Sequence, residues 1–151
     1  MKITNVEAWV VVPDLGGLSD YAGEWQWTFV TIETDEGITG WGESSSSPRS
    51  GSLLTGAGVR AVKEALIGED PADIERLWHK LFRRYTYMGS RGFPTTIISG
   101  IDIALWDIKG KATGRPVYDL LGGKMRDDIR MYANAWFGGC STPDDYAAAA
   151  K

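Results

Sequence analysis

Two polar segments near the N-terminus carry the side chains best suited to hold a small ligand. They span residues 13–20 and 44–51, with Tyr21 and Glu43 at their borders, and follow strongly β-patterned stretches. Loops that a rigid scaffold positions commonly carry binding residues, and the planar guanidinium of Arg49 matches the geometry of a carboxylate. Segments rich in serine and glycine can equally be mobile connections, so the residues alone leave both interpretations open. The candidate ligand-binding side chains are those of Asp14, Tyr21, Glu43, Ser45 and Arg49.

The residue types that nucleophilic or metal catalysis needs do not occur in workable combinations. His79 is the only histidine, and a single imidazole builds neither a histidine metal site nor a catalytic triad. Cys140 is the only cysteine and has no partner for an internal disulfide, which fits a reducing compartment and predicts a cytoplasmic location. No catalytic set emerges from these residues.

Two further patterns favour structure over chemistry. The segment Gly56–Ala61 matches the G-x-G-x-x-A fingerprint of dinucleotide sites, but a serine-rich segment precedes it where the fingerprint needs a strand. We interpret it as a flexible helix entry. Asp107 and Lys111 are four residues apart in the order that stabilises a helix, and we interpret them, together with Asp102, as structural contacts.

Hydrophobic periodicity predicts the elements that position these residues. Residues 2–12, 25–34 and 38–43 have strand composition, and the turn signal at residues 35–37 joins the last two. Three helical stripes follow: one ending at Gly68, one begun by Asp70 and Pro71, and one from Pro94 to Gly114. Strands followed by helices predict an α+β fold, a three-stranded antiparallel meander and then a helical bundle.

The C-terminal segment begins a second unit. Asp128–Phe137 has the composition of a strand, and Thr142–Asp145 is a strong helix start. The sequence stops at Lys151, inside that predicted helix, so we expect it to belong to a longer protein.

Composition excludes several classes of function. The 151 residues are 43% hydrophobic and 24% charged, which is ordinary for a globular domain. The net charge of -4 without a basic cluster argues against a nucleic-acid partner. No apolar run is long enough to span a bilayer, which argues against a membrane partner.

The sequence of residues 99–111, SGIDIALWDIKGK, resembles the signature of the mandelate racemase/muconate lactonizing branch of the enolase superfamily. The resemblance continues through Pro116–Gly123 and the strand that ends Gly40-Trp41-Gly42-Glu43. Ile97 departs from it, because the family usually has a small alanine there, and we expect only local repacking. The resemblance covers the whole chain.

The resemblance implies an enolase-like N-terminal capping domain over residues 1–123 and the truncated start of a (β/α)7β barrel over residues 124–151. Asp128–Phe137 would be the first barrel strand, and Asn134 and Trp136 would join the substrate-binding residues near its C-terminal end, where barrel active sites lie. The family's Mg²⁺ and its bases belong to the barrel region that this chain lacks. The chain alone would then have no catalytic or metal-binding residue and would be inactive.

Among the family's activities, the chain most resembles the acid-sugar dehydratases, which abstract the proton α to a carboxylate with Mg²⁺. This implies a small carboxylate substrate, a sugar acid, and we expect the full-length form to be a homo-oligomer. A sugar-lactone cycloisomerase or a racemase of the same family is an alternative. A stand-alone binding module without catalysis is an alternative of another class.

Overall fold

The computed structural model describes residues 1–12, 26–44, 49–88, 91–133 and 137–151, with the backbone alone for residues 49 and 50. One sheet precedes the helices along the chain, which confirms the predicted α+β class. The strands are β1 Ile3–Val11, β2 Trp27–Thr34 and β3 Thr39–Glu43. The helices are α1 Arg49–Val62, α2 Ile74–Arg84, α3 Phe93–Thr113, α4 Val117–Leu120 and α5 Pro143–Ala149, with 3₁₀ turns at Lys63–Ala65 and Thr86–Met88.

The strands form an antiparallel sheet in the order β1-β2-β3, which confirms the predicted meander. Side chains alternate between the two faces of a strand, and the buried Val6, Ala8, Val30 and Ile32 line the face that the helices cover. Gly37 closes the turn between β2 and β3 with a φ of 79°, which a residue without a Cβ adopts at little cost. One buried face is therefore sufficient to set the register of the sheet.

The predicted apolar stripe of α2 faces the core through Ile74, Leu77 and Leu81. The helix begins at Ile74, however, and the prediction that Asp70 and Pro71 begin it is wrong. The Asp70 carboxylate accepts the Ala72 N–H at 3.0 Å, and the Asp70 carbonyl accepts the Asp73 N–H at 3.2 Å. These bonds close a turn of the kind that Asp side chains favour, which delays the helix by one turn.

Strand β3 lies directly against the backbone of α3. A Cβ at Gly42 would overlap the carbonyl oxygen of Gly100 and lie 2.9 Å from the Ala104 nitrogen. A Cβ at Gly40 would overlap the Ala104 carbonyl oxygen and lie 2.6 Å from Cγ1 of Ile108. Glycine is thus the one residue at positions 40 and 42 that permits this approach of strand to helix.

The two glycines of the dinucleotide-like pattern lie inside α1, so the interpretation of that pattern as a flexible helix entry is wrong. A Cβ at Gly56 would lie 3.0 Å from Cγ2 of Val10, and one at Gly58 would lie 2.9 Å from Cγ1 of Ile97. The glycines therefore let α1 pack closely on β1 and α3. This packing offsets the cost of glycine in a helix interior, about 1 kcal/mol each.

Residues 128–133 form no strand in the described part of the chain, so the predicted strand Asp128–Phe137 is not observed there. A strand exists only by pairing with a neighbour, and the β-rich composition of this segment finds none among the described residues. The helix after it is confirmed: Thr142 caps α5, and Asp145 completes a capping box. The side chains of Ile129 and Met131 remain 78% and 83% exposed.

The contact between β3 and α3 can be tested by Gly42→Ala. The added methyl group meets backbone on α3, which cannot rotate away, so we expect the free energy of unfolding to fall by about 3 kcal/mol or more. Chemical unfolding followed by tryptophan fluorescence measures it. Glu43→Ala, on the exposed face of the same strand, should change stability by less than about 0.5 kcal/mol. Equal effects of the two variants would contradict this account of the packing.

Candidate functional site

The described residues that border the two polar segments all lie at one end of the sheet. Val11 pairs with Trp27, and Phe29 pairs with Glu43, so β1 ends, β2 begins and β3 ends together. Helix α1 begins at the same end, because Ser52 Oγ donates to the Gln26 carbonyl at 3.0 Å. The ends of β1 and β3 and the starts of β2 and α1 therefore lie close together.

The structure places two of the predicted binding residues at this end. Glu43 is the last residue of β3 and is exposed. Arg49 is the first residue of α1, which corrects the prediction that the polar loop continues to Gly51. The serines and glycines of this turn favour loops in isolation, but packing of α1 on the sheet overrides that preference. The predicted residues Asp14, Tyr21, Ser45, Asn134 and Trp136 lie outside the described residues.

A buried layer of hydroxyl groups holds this end of the molecule together. Thr28 Oγ1 donates to the Ser52 carbonyl at 3.1 Å, and Thr55 Oγ1 donates to the Gly51 carbonyl at 2.7 Å. Ser44 Oγ donates to the Thr96 carbonyl at 2.6 Å, which joins the end of β3 to the first turn of α3. Buried polar groups that are satisfied in this way fix the geometry of their surroundings.

Sequence reasoning missed this layer because it assigned the serines to loops. The signal that could have found Ser44 is strand alternation, since it continues the inward-facing series Gly40, Gly42. Gln26 lies in the predicted strand 25–34 and precedes the inward-facing Thr28 by two residues, so the same alternation could have placed it on the buried face. Its side chain is 7% exposed, and its Oε1 has no hydrogen-bond partner among the described residues. A buried acceptor without a donor costs about 1–3 kcal/mol, so Gln26 is a costly polar group at this end of the sheet.

Asp107 is a structural residue, as predicted. Its Oδ2 accepts the Trp41 N–H at 2.8 Å and the Lys111 ammonium at 2.6 Å. Lys111 also donates to the Thr39 carbonyl at 2.7 Å. The pair therefore satisfies the outward-facing backbone groups along β3, the edge strand of the sheet.

Asp102 differs from Asp107 although both lie on α3. None of the described residues donates a hydrogen bond to its carboxylate. Burial, and then the neighbouring charge of Glu75, raise the pKa of Asp102 above its usual value. We predicted that Asp102 makes a structural contact, but its carboxylate has no hydrogen-bond donor among the described residues.

Among the described residues, no group of three His, Cys, Asp or Glu side chains could hold a metal ion. The Mg²⁺ that the sequence resemblance implies has no ligand set there, and no described residue is assigned to it. None of the described helices is long and apolar enough to cross a membrane.

Residues 21–122 match the family model of the mandelate racemase / muconate lactonizing enzyme N-terminal domain. This chain belongs to that family. The match covers β2, β3 and the helices α1 to α4, so the signature on α3 and the strands β2 and β3 belong to one family unit.

Relatives of the family unit are much longer than this chain. It is 45% identical over 139 residues to a D-galactonate dehydratase of Variovorax paradoxus (strain S110), a match that covers 92% of this chain and 32% of the relative. The chain thus spans about a third of the length of the curated relatives it matches.

Solved structures show the same fold. A member of the enolase superfamily from Salmonella Typhimurium is 34% identical with a TM-score of 0.80, over 99% of this chain and 38% of that one. The 3,6-anhydro-D-galactonate cycloisomerase from Zobellia galactanivorans is 32% identical with a TM-score of 0.73, over 83% of this chain and 33% of that one. The fold of the family's capping domain is therefore shown for this chain.

The structural role of Asp107 in the family signature predicts a graded loss of stability. Asp107→Ala leaves the Trp41 N–H without an acceptor, so we expect a loss of about 1–3 kcal/mol in the free energy of unfolding. Asp107→Asn keeps an acceptor and loses the ion pair, so it should cost less. Urea unfolding measures both.

The matched control is Asp119→Ala, which removes the similarly spaced, exposed ion pair with Arg115 but touches no strand. Such pairs contribute about 0.3–0.5 kcal/mol. A loss as large in Asp119→Ala as in Asp107→Ala would show that closure of the β3 edge is unimportant.

Proposed function

We propose that this chain is the capping part of a dehydratase that acts on a sugar acid. The observation that carries the proposal is its 45% identity, over 92% of the chain, to a D-galactonate dehydratase. The polar end of the sheet supports it independently. An exposed carboxylate and the start of α1 lie together there, and a polyhydroxylated acid presents both hydrogen-bond donors and a negative charge.

The proposed reaction removes a proton from the carbon next to the substrate carboxylate and the neighbouring hydroxyl as water. The resulting enol then tautomerises to a 2-keto-3-deoxy acid. We propose that the base and the Mg²⁺ that serve this step are held by the remaining two thirds of the full-length protein. The part played by this chain is binding, with residues 1–123 as the capping domain and residues 124–151 as the first part of the next one.

Arg49 is the proposed anion-binding residue of this chain. Its backbone lies at the start of α1, where unpaired N–H groups and the helix dipole also favour negative charge. A guanidinium there would hold a carboxylate by charge-assisted hydrogen bonds.

A sugar-lactone cycloisomerase is the second candidate, because the 3,6-anhydro-D-galactonate cycloisomerase shares the fold at 32% identity. Its chemistry also begins next to a carboxylate but rearranges the substrate without loss of water. The mass of the product therefore separates the two. A cytoplasmic location and a homo-oligomeric state remain predictions from the sequence.

We expect the full-length protein with Mg²⁺ to convert D-galactonate, or a stereoisomer of it, to a keto acid that is lighter by one water. We expect the 151-residue chain to convert none. Mass spectrometry of a panel of sugar acids, including 3,6-anhydro-D-galactonate, measures both. A product of unchanged mass would replace the dehydratase by the cycloisomerase, and turnover by the 151-residue chain would contradict the assignment of the catalytic groups.

In the full-length protein, Arg49→Ala should lower kcat/KM by ~10–150-fold, mainly through KM, because one charge-assisted contact contributes about 1.5–3 kcal/mol. Arg49→Lys should recover little if the contact is bidentate, because lysine lacks the planar fork. Arg60→Ala is the control, since Arg60 binds Glu7 and the Ala8 carbonyl instead. Wild-type constants for Arg49→Ala would end this assignment.

A further inference from the structure

Ser44 joins the polar end of the sheet to the first turn of α3. It directly follows β3, and its side chain is 1% exposed. Its N–H donates to the Thr28 carbonyl at 2.7 Å, and its Oγ donates to the Thr96 carbonyl at 2.6 Å. A Cβ at Gly100 would lie 2.5 Å from the Ser44 Cβ, so the serine fills a slot beside the helix backbone. Ser44 is thus held by the sheet and by the helix at once.

The hydroxyl group of Ser44 adds direction to this contact. An alanine would place the same Cβ in the slot, so the hydroxyl is not needed to fill it. A hydrogen bond weakens steeply when its angle departs from a straight line, which fixes the side chain relative to α3. The Thr96 carbonyl oxygen has two lone pairs, and one of them can serve the helix without Ser44. The bond therefore determines position more than stability.

Both described residues of the proposed binding site depend on this anchor. Adjacent residues of a strand face opposite sides, so the buried Ser44 holds the exposed Glu43 outward where the pairing of β3 with β2 ends. The anchor also reaches α1. Thr28, whose carbonyl accepts the Ser44 N–H, donates its Oγ1 to the Ser52 carbonyl at 3.1 Å, within the helix that begins at Arg49.

We propose that Ser44 is a positioning residue for the substrate: its hydrogen bond to α3 sets where the Glu43 carboxylate meets the hydroxyl groups of the sugar acid. The proposal rests on the proposed function. A carboxylate accepts hydrogen bonds through both oxygens, and a site that binds a hydroxyl group by a directed bond rejects analogues that lack it in that place. Ser44 would thus influence which sugar acid is accepted without touching it.

The test compares four variants of the full-length protein on the sugar acid that the wild type converts. Ser44→Ala removes the hydroxyl, Glu43→Gln removes the charge that it positions, and the double variant combines them. Thr34→Ala is the control for stability. Thr34 is also buried, at 7% exposure, and its Oγ1 donates to the Ile38 carbonyl at 2.9 Å, but it lies at the opposite end of the sheet.

We expect Ser44→Ala to raise KM by ~3–10-fold, the range that one hydrogen bond contributes. The value of kcat should stay within about twofold, because binding and not the chemical step is affected. In the Glu43→Gln background, Ser44→Ala should change KM by less than about twofold, since the group that it positions is gone. Thr34→Ala should leave KM unchanged although its Tm falls at least as far as that of Ser44→Ala.

A wild-type KM in Ser44→Ala, or a fall in kcat alone, would overturn the positioning role. The same fold-change in KM with and without the Glu43 carboxylate would also overturn it, and so would an equal rise of KM in Thr34→Ala, which would trace the effect to stability. A wild type that converts no sugar acid would contradict the proposed function, and the substrate role of Ser44 with it. Activity of the wild type therefore separates the two failures.

Discussion

The rest of this structure depends on the direct contact of β3 with the backbone of α3. Gly40 and Gly42 have no side chain on the inner face of β3, so the carbonyl groups of Gly100 and Ala104 lie where side chains would otherwise be. The approach is possible only because small residues occupy both surfaces. It brings a 21-residue helix against the edge of a three-stranded sheet and closes the core around Ile101, Leu105 and Ile108.

Side chains also cover backbone groups at both edges of the described sheet. An exposed edge strand would offer its N–H and C=O groups to another chain. On β3, Asp107 and Lys111 bind the outward-facing groups of Trp41 and Thr39. On β1, the Glu7 carboxylate accepts the Ala8 N–H at 2.9 Å, and Arg60 donates to the Ala8 carbonyl at 2.6 Å. Each edge is thus closed by side chains, and each closure requires a helix at close range.

Periodicity was enough to predict the strands and α3, because each buries one continuous face. It was insufficient where tertiary contact decides the outcome. Arg49–Gly51 was predicted as loop because serine and glycine are poor helix formers, yet burial of Ser52 and Thr55 fixes that turn as helix. Residues 128–133 form no strand for the opposite reason, since strand composition produces a strand only beside a pairing neighbour, and the described residues provide none. Of the candidate site, the sequence predicted the two polar segments, whose described borders lie at one end of the sheet, but not the buried hydroxyl layer beneath that end.

The departure from the family pattern at Ile97 lies opposite a glycine of the neighbouring helix. The Ile97 side chain occupies the space that a Cβ at position 58 would need, and Gly58 leaves that space open.

Helix α3 also spans the whole of β3. It is about 31 Å long at 1.5 Å per residue. Its first turn accepts the Ser44 hydroxyl through the Thr96 carbonyl at the polar end of the sheet, and its last turns bind Trp41 and Thr39 through Asp107 and Lys111. The close backbone contacts at Gly40 and Gly42 lie between these hydrogen bonds. Strand and helix are therefore held together from Thr39 to Ser44, and the position of the polar end of β3 is set by the helix that covers it.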